Sequence, residues 1–272
     1  MNQLVSHEGI IRVGVFAGVL LAMMTLEALL PRRKQTLGRG ERWPANLSIV
    51  VVDTVLARLL IPLPPVAAAV WAAENGIGLF NVTTLPQLPV IAFCVLFLDL
   101  AIYAQHVVFH KVPMLWRLHR MHHADTEFDV TTGIRFHPIE IILSLLIKIA
   151  LILALGIPAA AVIVFEIVLN ASSMFNHANL RLPLWLDRAL RAVIVTPDMH
   201  RVHHSWHWRE TDSNYGFCLS VWDRLFRTYT PQPRDGHDGM TIGLHGFRVA
   251  ENRGLLGILM IPFRSGEDVS GR

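Results

Sequence analysis

The stretch LPVIAFCVLFLDLAIYAQHVVFH (88–110) decides how this chain folds, because an apolar segment runs directly into a pair of histidines. Residues 88–105 contain a single charged residue, Asp99. As a helix they would cover about 27 Å, close to the hydrocarbon thickness of a bilayer. His106 and His110 follow four residues apart, which places both imidazoles on one helix face. The stretch therefore predicts a membrane-spanning helix that ends in histidines suited to binding a metal.

The rest of the chain has the composition of a membrane protein. Of its 272 residues, 53% are hydrophobic and 17% are charged, whereas soluble domains average about 25% charged residues. These values predict an all-α integral membrane bundle of about 4–5 spans. Besides 88–105, the apolar segments that could span are 10–30, about 45–73 (broken by prolines), about 139–155 and 159–173.

The chain is interpreted as one domain, 1–272, with three parts. Membrane spans fill 1–98, and a histidine-rich catalytic core fills 99–230 and includes a membrane hairpin at about 139–173. A C-terminal tail covers 231–272, where the run 254–263 is too short to span a bilayer.

Positive charge predicts the orientation of the spans. The loop 31–42 contains five Lys or Arg residues, while the loop 74–87 contains none. Because cytoplasmic loops are enriched in Lys and Arg, 31–42 is expected in the cytoplasm. Counting the spans forward then places all the clustered histidines on the cytoplasmic side of a multi-pass protein.

Nine of the fourteen histidines form four groups, in HVVFH (106–110), HRMHH (119–123), NHAN (176–179) and HRVHH (200–204). Where these stretches are helical, histidines three or four residues apart share a face. Nine imidazoles exceed the needs of one tetrahedral zinc and suit two metal ions. Imidazole accepts zinc, copper, nickel and iron, so the metal stays open at this point. The predicted ligands are His106, His110, His119, His122, His123, His177, His200, His203 and His204.

Polar residues near these groups are candidates to orient the imidazoles. Asp99 lies about two helical turns before His106, and a carboxylate inside a span is expensive unless it has a functional partner. It is expected to accept the second N–H of a ligating imidazole. Asp212 and Asn214, which follow the last histidine pair, are expected to act similarly. Asp223 is expected to form a structural ion pair.

The remaining five histidines are expected at the edge of the metal site or away from it. His137 lies three residues before Glu140, which could orient its imidazole, so His137 is interpreted as either a ligand or a supporting residue. His207 is expected just beyond the ligands. His7, His237 and His245 are isolated in polar or terminal stretches and are predicted at the surface.

The order and spacing of these motifs resemble the fatty acid hydroxylase / sterol desaturase superfamily. The resemblance covers about half of the chain, and one departure from the family is Ala104-Gln105 before His106. It implies a cytoplasmic helical cap that holds two iron ions on the nine histidines, with O₂ as cosubstrate. The matching stretches are DLAIYAQHVVFHKVPMLWRLHRMHHADTEFDVTTGIRFHPIE (99–140), FNHANL (175–180), DMHRVHHSWHWRETDSNYG (198–216) and VWDRLFRTY (221–229).

The resemblance also implies a membrane lipid as substrate, such as a fatty acyl chain or sterol, which is hydroxylated or desaturated. Zinc is expected as a substitute metal after overexpression. The sequence has no dinucleotide-binding glycine motif, so electrons are expected from a separate ferredoxin, cytochrome or reductase. Arg117, Arg120 and Arg201 are candidates to dock such a donor or to contact lipid head groups. The basic residues do not form a nucleic-acid-binding patch, and the oligomeric state stays open.

Two alternatives belong to other functional classes. A zinc-dependent membrane hydrolase would need a general-base carboxylate, and the sequence has no HExxH motif. A metal transporter would be expected to distribute polar residues through its spans, whereas these histidines are concentrated at the ends of apolar segments.

Overall fold

Helices provide nearly all the regular structure in the computed structural model, which describes residues 5–266. Over that range there are three isolated β-bridges and no β-strand. Five segments are long and apolar enough to cross a membrane. The predicted all-α bundle with about five spans is therefore confirmed.

The long helices are α1 (Glu8–Leu29), α2 (Arg39–Leu60), α4 (Gln87–Lys111), α6 (Pro138–Leu155) and α7 (Ala159–Asn176). The shorter α3 (Pro65–Glu74) completes the second candidate span, Arg39–Glu74. Between α2 and α3 the helix is broken at Pro62 and Pro64, because proline lacks the N–H that a helix interior requires. This is the irregularity that the prolines predict.

Helices α6 and α7 form a tight hairpin. Gly156 ends α6 with φ at +66°, a left-handed conformation that glycine adopts without steric cost. Pro158 then precedes the first turn of α7. The apolar core of the spans is built around this hairpin and α4, with Cys94, Leu98 and Phe165 almost completely buried.

The remaining helices lie beyond one end of the bundle and form a cap. They are α5 (Pro113–His123), α8 (Leu184–Arg191), α9 (Pro197–His203), α10 (Trp208–Thr211), α11 (Val221–Leu225), α12 (Gly236–Gly239) and α13 (Leu255–Met260). Ile258 and Ile261 from the C-terminal run pack with Trp116 and Met121 of α5 in a second apolar core. The run 254–263 is thus part of the cap core, which explains its short apolar pattern.

A buried ion-pair network ties α2 to the loop that follows α5. Arg42 donates to both carboxylate oxygens of Asp125 at 2.6 Å and to Asp129 at 2.7 Å. Burial alone would raise the pKa of Asp125, but the cations Arg42 and Arg135 outweigh it and hold that pKa well below its ordinary value. Asp125 therefore stays ionised and fixes the loop against the start of α2.

Candidate metal centre

The nine predicted histidines come together in two neighbouring groups. In each group, one nitrogen from every ring lies within 4.8 Å of the others. All nine side chains are buried. Group A is His106, His110, His119, His123 and His203, and group B is His122, His177, His200 and His204.

Each HxxHH motif contributes to both groups. In α5, His119 and His123 are one turn apart and face group A, while His122 points toward group B. In α9 the division is reversed, because His200 and His204 face group B and His203 faces group A. The rings of His123 and His204 stack with centroids 4.5 Å apart, so the two groups share a boundary. The adjacent histidines of each motif therefore connect two neighbouring sites.

The rings are oriented so that their Nε2 atoms converge. His106 Nε2 lies 3.1 Å from His119 Nε2 and 3.0 Å from His203 Nε2. In group B, His177 Nε2 lies 3.1 to 3.2 Å from the Nε2 atoms of three other histidines. Two nitrogens bound at right angles to one ion at about 2.1 Å would be roughly 3.0 Å apart. The observed spacing fits shared coordination.

Backbone carbonyls on the outside of the cluster fix the tautomer of several rings. The Nδ1 atoms of His106, His177 and His203 donate to carbonyl oxygens at 2.6 to 2.7 Å. Because a carbonyl only accepts, each of these Nδ1 atoms carries the proton and each Nε2 presents a lone pair. Lone pairs that face each other at 3 Å repel, and a cation between them removes that repulsion.

His123 indicates a metal most directly. It is 1% exposed, and within residues 5–266 neither of its ring nitrogens has a hydrogen-bond partner. A buried polar group without a partner is costly, and coordination would satisfy one of the two nitrogens. The donor set of group A therefore fits a metal ion.

Burial also keeps the rings neutral. It lowers the pKa of His119 and of His177 to about 3. The same burial, together with neighbouring imidazoles, holds the pKa of His200 and of His203 well below the ordinary value. Neutral imidazoles are the form that binds metal, so these rings are ready to coordinate at neutral pH.

Glu140, in the first turn of α6, supports a different histidine from the one that the sequence suggested. Its Oε1 accepts a hydrogen bond from His119 Nδ1 at 2.7 Å. His137 lies outside both groups, and its Nδ1 accepts from the backbone N–H of Ile139 and caps α6. The sequence placed Glu140 near an imidazole but could not show that α5 packs beside the start of α6.

Asp99 has backbone and tryptophan partners in place of the expected imidazole. Its carboxylate accepts from Trp222 Nε1 at 2.8 Å and from the N–H groups of Cys218 and Leu219. The outer nitrogen of His106 donates to the carbonyl of Tyr215. Asp99 therefore anchors the segment that follows Tyr215.

Asp223 likewise accepts backbone hydrogen bonds, from the N–H groups of Tyr215 at 2.8 Å and Gly216 at 2.9 Å. The expected structural ion pair is thus replaced by a turn that holds the carbonyl of Tyr215 toward His106. In the sequence, Asp223 follows the ETDSNYG stretch by a few residues, and this closeness could have indicated that its carboxylate holds the turn at Tyr215.

Asp212 and Asn214 support the same cluster in different ways. Asp212 lies 3.5 Å from His110 Nδ1 and 3.0 Å from Lys111 Nζ. The Asn214 amide instead bonds backbone atoms of Met199 and Thr230, with its own φ at +50°. Asn214 thereby fixes the turn whose Ser213 carbonyl accepts from His203.

The other histidines lie away from the two groups. His207 bonds Asp235 at 2.7 Å, and His245 stacks on Trp206. His237 is 7% exposed, so the prediction of a surface position is wrong for this residue. Its imidazole packs 3.7 Å from Asp198, a contact between distant segments that local polarity does not reveal.

Two of the three arginines proposed for donor docking are buried in the cap. Arg120 donates to the backbone carbonyls of Ile261 and Arg264, and Arg201 pairs with Asp198. Neither can meet a donor protein, since their side chains are enclosed. Arg117 is exposed, and its Nε donates to the carbonyl of Pro262 at 2.7 Å. Arg120 and Arg201 therefore stabilise the cap, whereas Arg117 stays a candidate to dock a donor or to contact lipid head groups.

A cavity of about 840 Å³ opens beside group A. His106 and His119 form part of its wall at one end, next to Phe109, Phe136 and Phe217. Helices α1, α2, α4, α6 and α7 enclose the remainder, which extends along the spans. A mostly apolar cavity of this size, with a few polar groups, is typical of a small-molecule or lipid site.

Residues 91–228 match the family model described as fatty acid hydroxylase. Among curated proteins, an ornithine lipid hydroxylase from Rhizobium tropici is 30% identical, over 61% of this chain and 47% of that protein. Alkylglycerol monooxygenases from Xenopus tropicalis and Homo sapiens are 29% and 27% identical, each over 55% of this chain and 32% of their own length. This chain thus covers less than half of these relatives. No solved structure matches.

Proposed function

The chain belongs to the fatty acid hydroxylase family, and from this premise we propose that it is an O₂-dependent membrane oxygenase that hydroxylates or desaturates a lipid. Five apolar helices indicate a multi-pass membrane protein, and the relatives named above are lipid hydroxylases or monooxygenases. The observation that carries the proposal is the convergence of nine buried imidazoles beside a lipid-sized cavity.

Two iron ions would be held by groups A and B. All the donor atoms are nitrogens of neutral imidazoles, which are suitable ligands for iron. Zinc can replace iron in such a site during overexpression. When bound, the iron ions would supply the O₂ chemistry needed to oxidise a C–H bond, which an acid or base cannot do. The nine proposed ligands are those named for the two groups.

The chain's own residues would orient the ligands and hold the substrate. Glu140 keeps the proton of His119 on Nδ1 and so presents Nε2 to the site. Carbonyls of Tyr215, Ser213 and Ser173 do the same for three other rings. Phe109 and Phe217 would pack against the lipid beside His106 and limit access of water.

The substrate is proposed to be a membrane lipid, such as a fatty acyl chain or sterol, that enters the cavity from the bilayer. Electrons are proposed to come from a separate ferredoxin, cytochrome or reductase. The positive charge in the loop 31–42 supports a cytoplasmic position for the cap, where such a donor would have access.

The proposal is tested with full-length protein expressed in iron-replete cells under ¹⁸O₂. We expect two irons per chain and an oxidised lipid, which carries either one ¹⁸O atom or a new double bond. The oxidised lipid should be absent with His123→Ala. His245→Gln, which changes a histidine outside both groups, is the matched control and should retain activity. One tightly held zinc with O₂-independent turnover would instead support a hydrolase and refute the oxygenase.

A further inference from the structure

Asp53 is a buried carboxylate on the wall of the cavity. It lies inside a candidate membrane span and is 8% exposed. Within residues 5–266 its Oδ1 has no hydrogen-bond partner. An ionisable group inside a span is expensive, and where it faces a cavity its default explanation is a functional partner.

A second acidic side chain lines the same cavity. Glu140, in the first turn of α6, lines it together with Asp53. Its Oε1 is used by His119, while its Oε2 has no hydrogen-bond partner in the described part of the chain. Two acidic side chains, from α2 and α6, therefore line the cavity that His106 and His119 also line, and within residues 5–266 neither is paired with a Lys or Arg.

The other charges of the cavity have a different arrangement. Arg12 bonds Glu8 at 3.0 Å and Glu166 at 2.9 Å, and Lys148 bonds Glu166 at 2.8 Å, so two cations balance two carboxylates. Arg58 is exposed on the cavity wall, five residues after Asp53. Along α2 that separation is about 8 Å. The wall therefore presents an acid near the histidines and a base farther out.

From this layout we propose that the cavity binds a lipid with a zwitterionic head group, whose ammonium donates to Asp53 and whose anionic group faces Arg58. The inference rests on the proposed oxygenase function and names its substrate class. It places the head group and the adjoining carbons, and not the end of the chain, next to His106 and His119. A plain hydrocarbon would leave the Asp53 carboxylate without a partner.

Binding to three lysophospholipids that share one palmitoyl chain tests the proposal. Lysophosphatidylethanolamine has N–H donors, lysophosphatidylcholine has a quaternary ammonium without them, and lysophosphatidylglycerol has hydroxyls. Dissociation constants are measured by native mass spectrometry on the full-length, metal-loaded protein. We expect the ethanolamine lipid to bind at least about tenfold more tightly than the other two, because hydrogen bonds to a charged group contribute that much.

Variants assign the selectivity to Asp53. Asp53→Asn and Asp53→Leu should each reduce it to less than about threefold, while Glu74→Gln, which removes an exposed acid outside the cavity, should preserve it. Equal binding of the three lipids by the wild type overturns the proposal without any variant, and so does selectivity that survives both Asp53 variants. The same preparations are assayed for iron and lipid oxidation. Selectivity without oxidation refutes only the oxygenase, and oxidation without selectivity refutes only the head-group site.

Discussion

At the scale of single residues, the orientation of the clustered imidazoles depends on groups outside the two histidine groups. The Nδ1 of His119 donates to a carboxylate oxygen of Glu140, whereas most other rings with a partner at Nδ1 donate to backbone carbonyls. An imidazole whose Nδ1–H is bonded to a carboxylate binds a metal through Nε2 more strongly than one bonded to a carbonyl. The reason is that the carboxylate attracts the Nδ1 proton and so raises the basicity of the ring. His119 also lines the cavity, so the strength of this bond affects the substrate-facing side of group A.

Replacing Glu140 should therefore weaken metal binding in group A. We expect Glu140→Ala to reduce iron affinity about 10- to 100-fold, the usual effect of losing such a partner. Glu140→Gln should lose less, because its amide oxygen still accepts from Nδ1. The measurement is iron retained after dialysis against a graded series of chelator concentrations. Ser144→Ala, one turn farther along α6, is the control; equal iron retention in Glu140→Ala and this control would contradict the assigned role.

At the scale of elements, the cap is joined to the spans by ionic contacts as well as apolar ones. Arg42 in the first turns of α2 bonds Asp125 and Asp129 in the loop after α5. That loop ends near Arg135, whose carbonyl accepts from His122 Nδ1 at 3.2 Å. A helix of the membrane bundle thus helps to position a group B histidine in the cap.

Breaking this network should destabilise the fold. Arg42→Met would leave two buried carboxylates without their cation, which typically costs about 3–5 kcal/mol of unfolding free energy. Arg39→Met removes the same charge from an exposed position on the same helix and should cost less than about 1 kcal/mol. Unfolding in mixed micelles with increasing SDS measures both. Similar midpoints for the two variants would show that the network does not support the cap.

The sequence predicts which histidines cluster better than it predicts the groups that orient them. Histidine spacing and apolar runs are local, so the spans and the nine clustered histidines could be read directly, and the match over 91–228 confirms the family resemblance. The partners of Asp99 and Glu140 depend on which helices pack side by side, and local spacing does not contain that information. Arg120 and Arg201 look exposed because they are charged, yet cap packing buries both.

At the scale of the whole molecule, the ends of the spans bring the cap and its histidines to one side. Arg32 N–H bonds the carbonyl of Asn179, so the loop after α1 meets the segment after α7. The loop between α3 and α4 lies at the opposite end of the spans from the cap. If 31–42 is cytoplasmic, as its charges predict, then the cap is cytoplasmic and 74–87 is outside.

Cysteine labelling of intact cells tests this orientation. Both native cysteines are buried, so the unmodified protein should react weakly with a membrane-impermeant maleimide. Thr84→Cys in the loop after α3 should be labelled in intact cells, and Arg209→Cys on the exposed surface of the cap only after lysis. Labelling of Arg209→Cys before lysis would reverse the orientation. The electron donor would then have to be sought on the opposite side of the membrane, because a protein donor can reach the centre only from the side that carries the cap.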